Sequence, residues 1–234
     1  MKGERRVGKK LDRRLASYVL AAAGVGAVAP SAAAQVIYTP TDLKLTNGAL
    51  NFDIDGNGTP DFNLVNEESN SYYFVGGKLF LTGNAMESNS VLGQENSKIY
   101  QALPVPQGVS IGSNSPAQFL RASHFHAPFM AEAAYSYNVG RVLTGRFANI
   151  TGGYLGFRFT DKGATHYGWM RLTVTADPQR LPAIIVKVSG YAYESTPDEA
   201  IIAGDRGRGA AQTPHVTQSG PALGTLALGA AGRK

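Results

Sequence analysis

The sequence holds no cysteine, a single tryptophan, and after its first 34 residues almost nothing with helical periodicity. Without cysteine there are no disulfides, no thiol nucleophile and no thiolate-ligated metal site. Export is still compatible with that absence, because a body of about 200 residues buries enough apolar surface without covalent staples. The chain also lacks His-Glu-x-x-His and any phosphate-cradling glycine loop. A carboxylate pair for glycoside hydrolysis would leave no spacing to read. Glu132, Glu194 and Asp161 are available for one, and nothing in the pattern selects them.

Positive charge is also missing where a nucleic-acid binder would need it. The formal net charge is +5, yet residues 1–34 hold seven Lys/Arg against two Asp/Glu, which accounts for all of it. Segment 35–205 holds eleven basic and fifteen acidic side chains. A mildly acidic body has no electrostatic footprint for phosphates, so nucleic acid is not an expected partner.

Residues 1–34 read as a signal peptide. A charged run, Lys9-Lys10-Leu11-Asp12-Arg13-Arg14, precedes the apolar "LASYVLAAAGVGAVA", and small residues at Ala32 and Ala34 place cleavage before Gln35. The alternative is an uncut anchor, although the apolar run is short for a spanning helix and ends at Pro30. Secretion, to the exterior or the cell envelope, is the expected location. Membrane contact would be transient, through this segment or the C-terminal tail.

From Gln35 to Gly204, short apolar or alternating runs recur between Gly, Asn, Ser and Pro clusters: "QVIYT", "ALNFDI", "DFNLV", "SYYFV", "KLFLT". This spacing predicts an all-β domain over 35–204, an antiparallel β-sandwich of jelly-roll type with long loops. Gly76-Gly77 suits a hairpin turn, residues 84–118 suit loops with one or two weak strands, and "APFMAEAAYSY" (127–137) suits a short helix. The late strands alternate most clearly. Strict alternation puts Ile184, Val186 and Val188 on one face and Tyr191 and Tyr193 on the other, to be joined there by Tyr167 and Trp169. That aromatic face serves either inter-sheet packing or sugar stacking.

Residues 205–219, "DRGRGAAQTPHVTQS", have no periodicity and read as a linker. Residues 220–234 form a short hydrophobic tail with a basic end. "LGTLALGAAG" followed by Arg233-Lys234 resembles the tail of bacterial exported proteins that carry a PEP-CTERM-type sorting signal. The chain has Ser219-Gly220-Pro221 where that family has Pro-Glu-Pro, and its apolar run stops at Gly232. The tail is therefore degenerate or truncated. The body is similar to uncharacterised exported proteins that often bear such tails, through "YLGFRF", "HYGWMRLTV", "GYAYE" and "IIAG". That resemblance covers about 50 residues; it implies a β fold and no activity.

The most informative local chemistry is "NFDIDGNGTPDFNL". Asp53, Asp55, Asn57, Thr59 and Asp61 occupy alternate positions with Gly58 sixth, the spacing of an EF-hand loop through its ninth position. Calcium takes six to eight oxygens, and a chain turning sharply at glycine brings alternate side chains to one centre. Leu64 stands where an EF-hand has its bidentate Glu, and the flanks read as strands. The loop thus resembles the strand-flanked DxDxDG calcium loops of extracellular β proteins, with Glu67 or Glu68 available to add ligands. The alternative is a polar turn that uses its side chains only for local backbone hydrogen bonds.

His124 and His126 would share a face of an extended segment, but no third ligand accompanies them. The expected protein is a non-enzymatic structural or adhesive β protein with structural calcium, self-associating or contacting surface glycans. A carbohydrate-binding module using Tyr167, Trp169, Tyr191 and Tyr193 is the second reading. A hydrolase with an unrecognised carboxylate dyad is the third.

Overall fold

A computed structural model of the chain describes residues 35–71, 74–83, 88–96, 99–123, 127–208, 214 and 216–219. The expected signal peptide, the expected C-terminal tail and the His124/His126 pair lie outside the described residues. In chain order the strands are β1 (Val36–Leu45), β2 (Gly48–Phe52), β3 (Phe62–Asn70), β4 (Phe74–Gly83), β5 (Ser90–Asn96) and β6 (Ile99–Ala102). There follow β7 (Pro104–Val105), β8 (Ser110–Ile111), β9 (Gln118–Arg121), β10 (Phe129–Ser136) and β11 (Gly140–Thr144). The last five are β12 (Gly153–Asp161), β13 (Ala164–Ala176), β14 (Ile184–Glu194), β15 (Ile201–Ile202) and β16 (Val216–Ser219).

The all-β expectation holds; among the described residues there is no helix. The architecture departs from two separate antiparallel sheets. Fourteen strands form one mixed sheet: eleven follow the path β1-β14-β13-β12-β5-β6-β10-β4-β3-β2-β16, and β11, β7 and β9 pair off it with β10, β12 and β5; β6 and β10 are parallel where Phe129 meets Gln101. The sheet curls back on itself. Phe52, Phe62, Leu64, Leu79, Leu81 and Met130 on its later half pack against Phe157, Met170, Leu172, Ile184, Val186 and Val188 on its first half. Each such side chain taken fully out of water contributes about 1.5–3 kcal/mol. Asn66 stitches the two halves, donating from Nδ2 to Thr46 O at 2.7 Å and to Ile184 O at 3.0 Å.

The opposite face of β12, β13 and β14 is buried too. Tyr154, Tyr167, Trp169 and Ala192 form a second, smaller core with Leu92, Val105, Ile111, Ile201 and Ala203. The two-stranded β8–β15 ladder supplies two of these covering residues.

Four local expectations are corrected. Segment 127–137 is not helical. Its centre is strand β10, whose Ala131, Ala133 and Ala134 are completely buried between neighbouring strands, so packing overrides alanine's helix propensity. Gly76-Gly77 is not a turn but lies inside β4, opposite Ala134 and Ala133. A Cβ on Gly76 would stand 2.4 Å from the Ala133 carbonyl oxygen, so the glycine permits close strand approach. Region 84–118 carries β5 to β8 and the start of β9, more strand than its polar composition suggested. Val216–Ser219, within the expected linker, pairs with β2 as an edge strand.

Candidate metal centre

The β2–β3 connection spans Asp53 to Asp61. Its base is closed by the Phe52↔Phe62 pair and by Asp61 N donating to Phe52 O at 2.8 Å. Both phenylalanines are buried, so the hairpin is anchored in the core while its tip, residues 56–60, is exposed.

Within the loop the carboxylates organise the backbone. Asp53 Oδ1 accepts from Gly56 N (2.9 Å) and Asn57 N (3.0 Å), and its Oδ2 accepts from Gly58 N (2.8 Å). Gly56 and Gly58 have φ of 76° and 92°, conformations that cost little only for glycine. Asp61 is 1 % exposed, and its Oδ2 accepts from Ile54 N at 2.7 Å. Asp55 accepts from Asn57 N at 3.0 Å and from Asn57 Nδ2 at 2.9 Å.

Of the five predicted ligands, the structure brings together the three aspartates. One oxygen each of Asp53, Asp55 and Asp61 lies within 4.8 Å of the others. The Asn57 side chain is used locally, its Oδ1 accepting from the Thr59 backbone N at 2.7 Å. The suggested extra ligands, Glu67 and Glu68, are corrected. They sit five and six residues along β3 from Phe62, about 16–20 Å from the loop. Glu67 pairs with Lys78 in the β3–β4 register, and the Glu68 carboxylate accepts from Ala183 N.

The distant chain supplies what the local spacing did not reveal. Asp161, the last residue of β12, contributes a negative charge felt by Asp55, and Asn89 fastens the loop to the end of that strand. Burial, and then the neighbouring Asp53 and Asp161, push the Asp55 carboxyl above its ordinary value against the lowering effect of the Asn57 amide. The Tyr193 phenol is raised to about 12, by burial first and then by the charges of Asp55, Asp161 and Asp61. A cluster of carboxylates that repel one another and sit partly out of water is the electrostatic environment a hard cation relieves. Beside it, Asn51, Asp53, Gly58, Pro60, Pro214, Val216 and Thr217 line an open cleft of ≈ 370 Å³.

The four candidate aromatics do not form one face. A bulge at Ser189 puts Gly190 opposite Arg171 and Val188 opposite Leu172, so one residue is skipped and the parity of β14 reverses. Tyr191 therefore joins Val188 in the main core, packed edge-on against Phe52 with ring centroids 5.7 Å apart. Tyr193 points the same way, 5.4 Å from Phe159 and 6.1 Å from His166. Tyr167 and Trp169 occupy the second core. Trp169 is 1 % exposed, crosses Tyr154 at 86° and donates from Nε1 to Asp205 O at 3.0 Å. His166 Nδ1 lies 2.9 Å from Glu194 O. Glu132 faces Lys78 at 3.5 Å, so the carboxylates named for a hydrolytic dyad are dispersed among separate partners.

Compared with protein-family models, curated proteins and solved structures, the chain finds no match in any of the three.

Proposed function

We propose that this is an exported, non-enzymatic structural or adhesive β protein whose β2–β3 loop is a calcium clip. The carrying observation is the convergence of Asp53, Asp55 and Asp61 within 4.8 Å on a hairpin rooted in the core. Three carboxylates, a glycine-turned backbone and a nearby fourth charge at Asp161 suit an oxygen-seeking divalent cation of the calcium class. No nucleophile or histidine belongs to the triad, so the ion's role is to neutralise the loop and hold its shape. The curled sheet serves as the two layers of a sandwich, and the clip secures one of its hairpins.

The adhesive or self-associating part of this reading is supported by the β10–β11 hairpin. Tyr135, Tyr137, Val139 and Leu143 there are 50 %, 70 %, 74 % and 49 % exposed. The glycan-binding reading loses its main support, since Trp169 and Tyr167 are enclosed and Tyr191 and Tyr193 face the other way.

Thermal melts of the chain with calcium, with magnesium and with chelator test the clip. Calcium is expected to raise Tm and chelator to reverse the rise. An unchanged Tm would remove the calcium site.

A further inference from the structure

Glu194 closes β14 with 3 % exposure, and among the described residues no lysine, arginine or histidine side chain forms an ion pair with its carboxylate. Arg158 and Arg206 are engaged elsewhere, Arg158 over the Phe119 ring and Arg206 over the Tyr38 ring, each at 4.9 Å. His166 reaches only the Glu194 backbone carbonyl. A buried carboxylate without a cation is costly, and buried charges are as a rule paired.

What Glu194 does hold is the first described residue of the chain. Its Oε1 accepts from Gln35 N at 2.8 Å and from Thr196 N at 2.9 Å, while Gln35 O accepts from Ser195 N at 3.0 Å. Val36 then enters the β1–β14 ladder directly opposite Glu194. The sequence places signal cleavage between Ala34 and Gln35. The nitrogen bonded to the buried carboxylate is thus the one that processing would expose.

We infer that removal of residues 1–34 converts the Gln35 nitrogen into an α-ammonium and that Glu194 is its built-in counter-ion. Water hydrolyses the Ala34–Gln35 amide: the C–N bond breaks, Ala34 leaves as a carboxylate, and the freed amine takes up a proton. An amide-to-carboxylate hydrogen bond becomes an ion pair, and the existing β1–β14 ladder is held more tightly at its Gln35 end in the processed chain. The ammonium brings two more N–H donors, and Thr196 Oγ1, buried and without a hydrogen-bond partner, belongs to the residue that shares Glu194 Oε1 with Gln35. This inference rests on the export part of the proposed function and is independent of the calcium loop.

The full chain, with a site-specific protease sequence in place of residues 31–34, allows one protein to be melted before and after a cut at Gln35. In wild type the cut is expected to raise Tm by about 3 °C or more; in Glu194→Gln it should raise it little. No rise in wild type, or an equal rise in both, overturns the ion pair. Should Glu194→Gln fail to fold, the cut wild-type chain supplies a second reading. An N-terminal glutamine cyclises when its neutral amine attacks its own side-chain amide and expels ammonia, a step that protonation by Glu194 pairing suppresses. Intact mass should show cyclisation several-fold slower in the folded chain than in urea, and equal rates overturn the proposal. Sequencing the native chain after export from a bacterial host should give Gln35 first; any other start overturns the processing step. Chelator should leave the cut-dependent shift intact, which separates a failure here from a failure of the calcium clip.

Discussion

Asn89 donates from Nδ2 to the carbonyl of Asp61 at 3.0 Å, and does so with no exposure to solvent. Its Oδ1 accepts from Thr160 N at 3.2 Å, so one side chain bridges the base of the acidic loop to the end of β12 beside Asp161. The two carry-over points are backbone groups, which fixes position without adding charge to a site already crowded with carboxylates. Replacing Asn89 by Ala leaves the Asp61 carbonyl and the Thr160 amide short of these partners. The expected cost is about 2–3 kcal/mol in urea unfolding, together with weaker calcium binding by titration calorimetry. A full loss of calcium response with unchanged unfolding free energy would contradict this anchoring role.

Asp53 and Asp55 should separate structure from metal binding. The Asp53 carboxylate holds three loop amides, so Asp53→Ala should destabilise even the calcium-free chain, by about 1–3 kcal/mol. Asp55→Asn keeps an acceptor for the Asn57 amide and removes a repelling charge. It should melt no lower than wild type in chelator while losing most of the calcium-dependent rise in Tm.

The titrations carry signs that can be checked. Asp55 is raised, so the folded, metal-free chain holds its proton more tightly than the unfolded one. Its contribution is fully present below the unfolded value of 3.8 and is lost as pH rises through the folded pKa. Acidification should thus favour the metal-free loop and weaken calcium binding. Tyr193 behaves alike at the other end: stability falls as pH rises from the unfolded value of 10.0 to about 12. A calcium ion held in the proposed clip would offset the Asp55 and Asp61 charges, so phenolate absorbance should show the Tyr193 titration moving down when calcium is added. An upward movement would place the ion elsewhere.

The aspartate loop was legible because its chemistry is local: alternate acids around Gly58 define a turn over nine residues. Asn89 and Asp161 were not, since only the curl of the sheet brings residues 28 and 100 positions beyond Asp61 to the same place. The aromatic face failed for a different reason. Period-two reading assumes an unbroken strand, and the single extra residue at Ser189 reverses every side chain after it. The alanines of β10 misled through propensity, which is a weak guide when small side chains are selected for close packing.

Two glycines test how far that close packing and that bulge matter. Gly190 has φ of 152°, and a Cβ there would stand 2.7 Å from the Tyr38 hydroxyl and 2.9 Å from its ring. Tyr38 in turn lies 5.8 Å from Trp169. Gly190→Ala therefore combines backbone strain with displacement of a ring from the second core, an expected loss of about 2–3 kcal/mol. In β4, Gly76→Ala would force a methyl into the Ala133 carbonyl at 2.4 Å, whereas the same change at Gly77 meets only contacts of 3.4 Å and longer. Urea unfolding should rank Gly76→Ala as the more damaging of that pair by at least about 1 kcal/mol. Equal costs would mean that β10 can retreat from β4, and that its buried alanines are less tightly held than their zero exposure implies.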